Sequence, residues 1–85
     1  MFRIEIKKSV FKILKKIPRE DQIKITQSIH QLAVNPRHQH SIKLASSPYF
    51  RIRCGGYRII YEILDDKLIV IILKVGHRRE VYRSR

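Results

Sequence analysis

The residues best suited to chemistry in this sequence lie in one stretch, 49–64, YFRIRCGGYRIIYEIL, and in the ending VGHRREVYRSR. The first reads as two strands joined by a two-residue turn. Gly55-Gly56 can supply the positive φ angles of a tight hairpin, and the flanks alternate and are rich in aromatic and β-branched types. With Gly55-Gly56 as the whole turn, Cys54 faces Tyr57, Ile52 faces Ile59 and Phe50 faces Tyr61, which makes one apolar face. On the other face Arg53 lies opposite Arg58, with Arg51 two residues further along. Like charges directly opposite one another destabilise a sheet, and arginines cannot relieve the repulsion by deprotonating. The arrangement points to an anion held between them.

The remaining elements must hold this hairpin in place. Residues 2–6, FRIEI, alternate and read as a short strand. Ser9 stands where a helix N-cap belongs. After it Val10, Phe11, Leu14 and Ile17 recur at helical spacing, with Lys8, Lys12, Lys15 and Lys16 outside that stripe. Pro18 breaks the pattern and suits the first turn of a second helix, where Glu20 and Asp21 meet the positive end of the dipole. Ile25, Ile29, Leu32 and Ala33 form its buried stripe, with His30 near that side, and Asn35-Pro36 ends it. Residues 35–48 read as a loop in which Ile42 and Leu44 tuck against the core. After the hairpin, Asp65-Asp66 turns the chain into KLIVIILKV, residues 67–75. That run is apolar on both faces, as in a central strand; either register suits it, so the pattern does not fix which side chains face which way.

The order is β-α-α-β-β-β. It predicts an α+β fold, a helical hairpin packed on one face of a small, mainly antiparallel four-stranded sheet, as a single domain over residues 1–85. The other sheet face is left to Arg51, Arg53 and Arg58. A tail folding back across the end of the sheet brings His77, Arg78, Arg79 and Tyr82 towards the same groove.

The charge balance agrees. Nineteen Lys and Arg against seven Asp and Glu give +12, and the excess runs through both halves of the chain. A basic folded body favours a polyanionic partner, most simply nucleic acid, although an acidic protein partner is compatible. One cysteine excludes an internal disulfide framework and a four-cysteine metal site; Cys54 reads as a small buried hydrophobe. His38 and His40 are one residue apart in the loop without a Cys or carboxylate close by, so no metal is expected there, and no cofactor is implied. No stretch is long and apolar enough to span a membrane, nor does the N-terminus read as a signal peptide; the expected location is the cytoplasm.

The RIR…GYRIIY pattern of residues 51–61 and the ending VGHRREVYR of residues 75–83 resemble the RelE/ParE superfamily of bacterial and archaeal toxins, RelE most closely. The resemblance implies a type II toxin that enters the ribosomal A site and cuts mRNA there. It also implies a co-transcribed antitoxin that wraps and silences the toxin. ParE relatives share the fold but poison DNA gyrase. The family's basic positions fall on Arg51 and Arg53 of the second strand, Arg58 of the GYR motif and Arg78 after the last strand; its C-terminal tyrosine falls on Tyr82. RelE relatives often carry lysine on the second strand, and Arg53 cannot take over a lysine's role as base, because it stays protonated. His77 matches no RelE position, although some sister toxins use a C-terminal histidine.

Residues of these types permit RNA cleavage without metal. The 2′-OH attacks the adjacent phosphorus and the 5′ oxygen leaves, giving a 2′,3′-cyclic phosphate and a 5′-OH. Arginines suit the phosphorane, being permanently charged and bidentate to phosphate. Arg53 and Arg58 are assigned the scissile phosphate, Arg51 the backbone beside it, and Arg78 the transition state or leaving oxygen. His77 and Tyr82 compete for general base. Histidine titrates near neutrality unaided, whereas tyrosine needs its pKa lowered from about 10 by neighbouring charge. Arg79 and the first-helix lysines Lys12, Lys15 and Lys16 are candidate RNA contacts. The rival readings are a solvated tail for residues 77–79, packing for Tyr82, a salt bridge from Arg53 or Arg58 to Glu62 or a C-terminal carboxylate, a ParE-like gyrase inhibitor, and a non-catalytic RNA- or ribosome-binding module. An acidic amphipathic antitoxin would neutralise the charge and cover apolar surface together.

Overall fold

A computed structural model of the chain describes residues 1–77. The hairpin forms in the predicted register. Strands β3 (Tyr49–Cys54) and β4 (Tyr57–Leu64) pair Phe50 with Tyr61, Ile52 with Ile59, Arg53 with Arg58 and Cys54 with Tyr57. Positive φ occurs at Gly55 (60°) and not at Gly56, the requirement of a type II′ turn, in which glycine takes the first central position.

The sheet has five strands, in the order β1-β5-β4-β3-β2. Strand β1 (Arg3–Ile6) runs parallel to β5 (Ile69–His77), which pairs antiparallel with β4. A parallel neighbour requires a crossover, and the helices lie within the connection. The additional strand is β2 (Ile42–Lys43), two residues at the edge inside the segment expected to be a loop. Ile42 does not tuck in: it is 51% exposed. Strand β5 is interior, as its apolar composition requires, and carries a bulge. Ile60 pairs with Lys74 but Tyr61 with Ile72, so Leu73 is an extra residue. The buried positions of β5 accordingly switch from Val70 and Ile72 to Val75.

The helices cover one face. Helix α1 (Lys8–Leu14) packs on β5, and α2 (Arg19–Val34) lies against β1, β3 and β5. Val10, Ile17, Ile25, Ile29 and Leu32 meet Ile52, Ile59, Tyr61, Val70, Ile72 and Val75 in one core. Three local expectations change. Helix α1 starts at Lys8 with Lys7 as its cap residue and no side-chain cap bond, so Ser9 lies inside it. Phe11 is 50% exposed because α1 turns only the Val10–Leu14 side onto the sheet. His30 is exposed rather than near the buried side.

Loop 35–41 is tied to this core. The buried Tyr61 hydroxyl donates to the Pro36 carbonyl at 2.6 Å, and Arg37 makes a bidentate pair with Asp65 at 2.9 and 2.7 Å. Arg37 also lies over the Phe50 ring, 5.8 Å from its centroid. Burial pushes the Tyr61 phenol up from its usual pKa, and Arg37 holds the Asp65 carboxyl below the usual carboxylate range.

Candidate functional site: an arginine face

Strand alternation and the bulge together decide which side chains share the face away from the helices. Arg53 and Arg58 are direct cross-strand partners, Arg51 faces Ile60, and Ile60 faces Lys74 on the other side. Arg58 faces Gly76, which contributes no side chain to that pair. One face thus carries Arg51, Arg53, Arg58 and Lys74 within three neighbouring strands.

Arg58 is the unusual member. It is 5% exposed, and among the described residues its Nε has no hydrogen-bond partner. A charged group is almost never fully buried unless paired, and an unsatisfied buried donor carries the full desolvation penalty of that group. Glu62 stands on the same face, opposite Tyr49, yet among the described residues neither Arg53 nor Arg58 forms an ion pair with it. The salt-bridge reading with Glu62 therefore finds no support; the C-terminal carboxylate lies outside the described residues. Arg53, by contrast, is exposed and Arg51 half-buried. The enclosed guanidinium and the exposed one paired opposite it are of the type that makes charge-assisted hydrogen bonds to an oxyanion.

The other predicted residues are distributed differently. His77 pairs with Tyr57, on the helix-side face, and its ring meets the Tyr57 ring edge-on at 5.9 Å. It does not join the arginine face at that end of β5. The physical reason is the bulge at Leu73, which sends Lys74 and Gly76 to the arginine side and Val75 and His77 to the other. Arg78, Arg79 and Tyr82 lie outside the described residues. Lys12 in α1, and Lys15 and Lys16 just beyond it, are exposed on the helical layer, across the sheet from the arginines. Sequence reasoning missed Lys74. The signal was present, a single lysine inside an apolar strand, but reading it required the register of β5. Among the described residues no three His, Cys, Asp or Glu side chains converge to hold a metal, and no helix is long and apolar enough to cross a membrane.

The fold with its helical layer on one sheet face is that of solved RelE chains. It superposes on a chain of the archaeal RelE–RelB complex from Pyrococcus horikoshii with TM-score 0.80 and 29% identity, covering 91% of this chain and 94% of that one. It superposes on the isolated Escherichia coli RelE toxin with TM-score 0.79 at 20% identity, over 99% and 94% of the two chains, a likeness of fold. The family model for the ParE toxin of type II toxin–antitoxin systems matches residues 4–82. The chain belongs to that toxin family, and within the RelE/ParE superfamily it is RelE-like. A Methanocaldococcus jannaschii protein that carries the name toxin RelE1 is 34% identical over 98% of this chain and 97% of its own length. The mRNA interferase toxin RelE of E. coli K12 is 41% identical over 34 residues, 38% of this chain and 36% of that protein.

Proposed function

We propose that this RelE-like toxin is a ribosome-dependent endoribonuclease of the cytoplasm that cuts mRNA in the ribosomal A site and so stops translation. The observation that carries the reading is the enclosed Arg58, its Nε without a hydrogen-bond partner among the described residues, directly opposite Arg53. A scissile phosphate supplies the negative charge that pair lacks. Arg53 and Arg58 hold its non-bridging oxygens, while Arg51 and Lys74 take the strand beside it. The 2′-OH gives its proton to a base and its oxygen attacks phosphorus. The bond to the 5′ oxygen breaks, that oxygen takes up a proton, and a 2′,3′-cyclic phosphate remains. Arg78 stabilises the phosphorane or the leaving oxygen. The side of the sheet on which His77 stands supports Tyr82 as the base, since cations around the phosphate favour its phenolate. Arg79 and the lysines Lys12, Lys15 and Lys16 then meet RNA away from the cut, where phosphate contacts supply affinity that falls steeply with salt. The name mRNA interferase on an E. coli relative supports the same activity.

A cognate antitoxin completes the assignment. Relatives crystallise as RelE–RelB complexes. On this chain an apolar groove of about 620 Å³ runs beside β1 and the helices, bordered by exposed Phe11 and Val34. An acidic amphipathic segment fits such a surface on a body of charge +12.

The test is incubation of the purified protein with a defined mRNA, with and without translating ribosomes, and mapping of the ends by primer extension. Codon-spaced cuts that require ribosomes are the expected result. No cleavage under either condition, with inhibition of gyrase supercoiling instead, would replace this reading with the ParE-like one. Ribosome binding without either effect would leave a non-catalytic binder.

A further inference from the structure

Strand β2 pairs with β3 only through Ile42↔Arg51 and Lys43↔Phe50. Beyond Arg51 the outer edge of β3 has no strand partner among the described residues. A recess of about 360 Å³ opens at that edge. Gln31 of α2, His38 and His40 of the loop, and Ile52, Arg51 and Arg53 of β3 are among the residues that line it. Its volume is at the lower end of the range for ligand sites, roughly 300–1,000 Å³, which suits one ring system rather than a large ligand.

The His38 imidazole is held in place, and the His40 ring lies beside it. The His40 backbone N–H donates to His38 Nδ1 at 3.1 Å, so a neutral His38 carries its proton on Nε2. The Ser41 N–H and hydroxyl both donate to the His38 carbonyl, at 2.8 and 2.7 Å. The rings sit 5.2 Å apart with planes tilted by 39°. The loop bearing them is fixed at its start by Tyr61 on Pro36 and by Arg37 on Asp65. A loop anchored in this way presents its side chains from a fixed scaffold, the setting in which binding residues are disproportionately found.

We propose that this recess seats one nucleobase of the RNA strand whose phosphate lies on the arginine face. The inference rests on the endoribonuclease reading and names the part of the substrate that the same site recognises. Single-stranded RNA is read by stacking unpaired bases on rings, histidine included, and by hydrogen bonds to base edges. His38 and His40 offer the ring surface, and Gln31 offers both a donor and an acceptor to the base edge. Ile52 gives an apolar floor. The lining contains no carboxylate or thiolate for a metal. Arg51 and Arg53 belong to the recess and to the arginine face at once. A nucleotide can therefore rest its phosphate on the face and turn its base over the outer edge of β3 beyond Arg51.

The experiment uses the full chain on ribosomes programmed with a defined A-site codon, either intact or carrying one abasic nucleotide at each position in turn. At one fixed position, loss of the base should raise KM roughly tenfold, the scale of one lost base stack. His40→Ala should show the same rise on the intact codon and no further rise on the abasic one, and His40→Phe should restore the wild-type value. His40 is exposed, so its replacement leaves the core untouched. Equal KM values for intact and abasic codons, or an unchanged KM in His40→Ala, would overturn the proposal while leaving the cleavage reading in force. Should wild-type protein cut nothing, the recess is judged by the histidine ring NMR signals. Movement with a short intact RNA but not with its abasic counterpart supports it. Movement with an acidic peptide and not with RNA makes the recess a protein interface and overturns it.

Discussion

On strand β4, Ile59, Tyr61 and Arg58 are all enclosed, yet their surroundings differ. Ile59 and Tyr61 look towards the helices, where each has apolar neighbours and the one polar atom, the Tyr61 hydroxyl, has a partner on Pro36. Arg58 looks the other way, faces another arginine across the ladder, and keeps an unsatisfied Nε. Ile60, its neighbour on that face, is flanked by Arg51 and Lys74, whose aliphatic stems can cover apolar surface. One face is built for stability. The other gives stability up locally, and burial of an unpaired cation is physically intelligible where an anionic ligand supplies the missing charge.

Substitutions on the two faces should therefore act in opposite senses. The largest change in stability belongs to Ile59→Ala, which leaves a cavity in the core and should cost about 2–5 kcal/mol, read as a lower urea midpoint. Arg58→Met is the counterpart. It removes a buried unsatisfied donor and a like-charge pair, and should raise the urea midpoint by about 1–3 kcal/mol equivalent. A large loss of stability in Arg58→Met would break the contrast. Tyr61→Phe should cost about 1 kcal/mol or somewhat more, by orphaning the Pro36 carbonyl. The same tyrosine gives a pH signature. Its folded pKa lies above the unfolded value of about 10. Its contribution is therefore full below that pH and is lost as pH rises towards the folded pKa. Alkaline unfolding curves of wild type and Tyr61→Phe should converge there. The smallest effect is expected for Lys74→Ala, which should leave stability nearly unchanged and reduce the log–log salt slope of RNA binding by about one; an unaltered slope would remove Lys74 from the phosphate path.

The hairpin was legible in the sequence down to the individual pair, because a Gly-Gly turn and strict alternation leave one register that keeps the apolar side chains together. The helices were legible from their stripes, but not the start of α1, where Ser9 looked like a cap and makes no capping bond. Strand β2 could not be read, since two residues cannot display a period. Strand β5 hid the most. With apolar residues on both faces its pattern was silent about register, and the bulge at Leu73 reverses the facing of everything after it. That one residue brings Lys74 to the arginines and turns His77 away. The recess beside β3 was equally hidden, because it joins α2, a loop and a strand edge that are distant in sequence.

The central claim is that the enclosed Arg58 receives an RNA phosphate, and single-turnover cleavage of ribosome-bound mRNA by Arg58→Ala beside wild type tests it most directly, with ribosome binding and folding followed in parallel. Loss of one charge-stabilising donor predicts a rate lower by at least about a hundredfold, with binding to the ribosome retained and the fold intact. A folded Arg58→Ala protein that cuts at the wild-type rate would contradict the account.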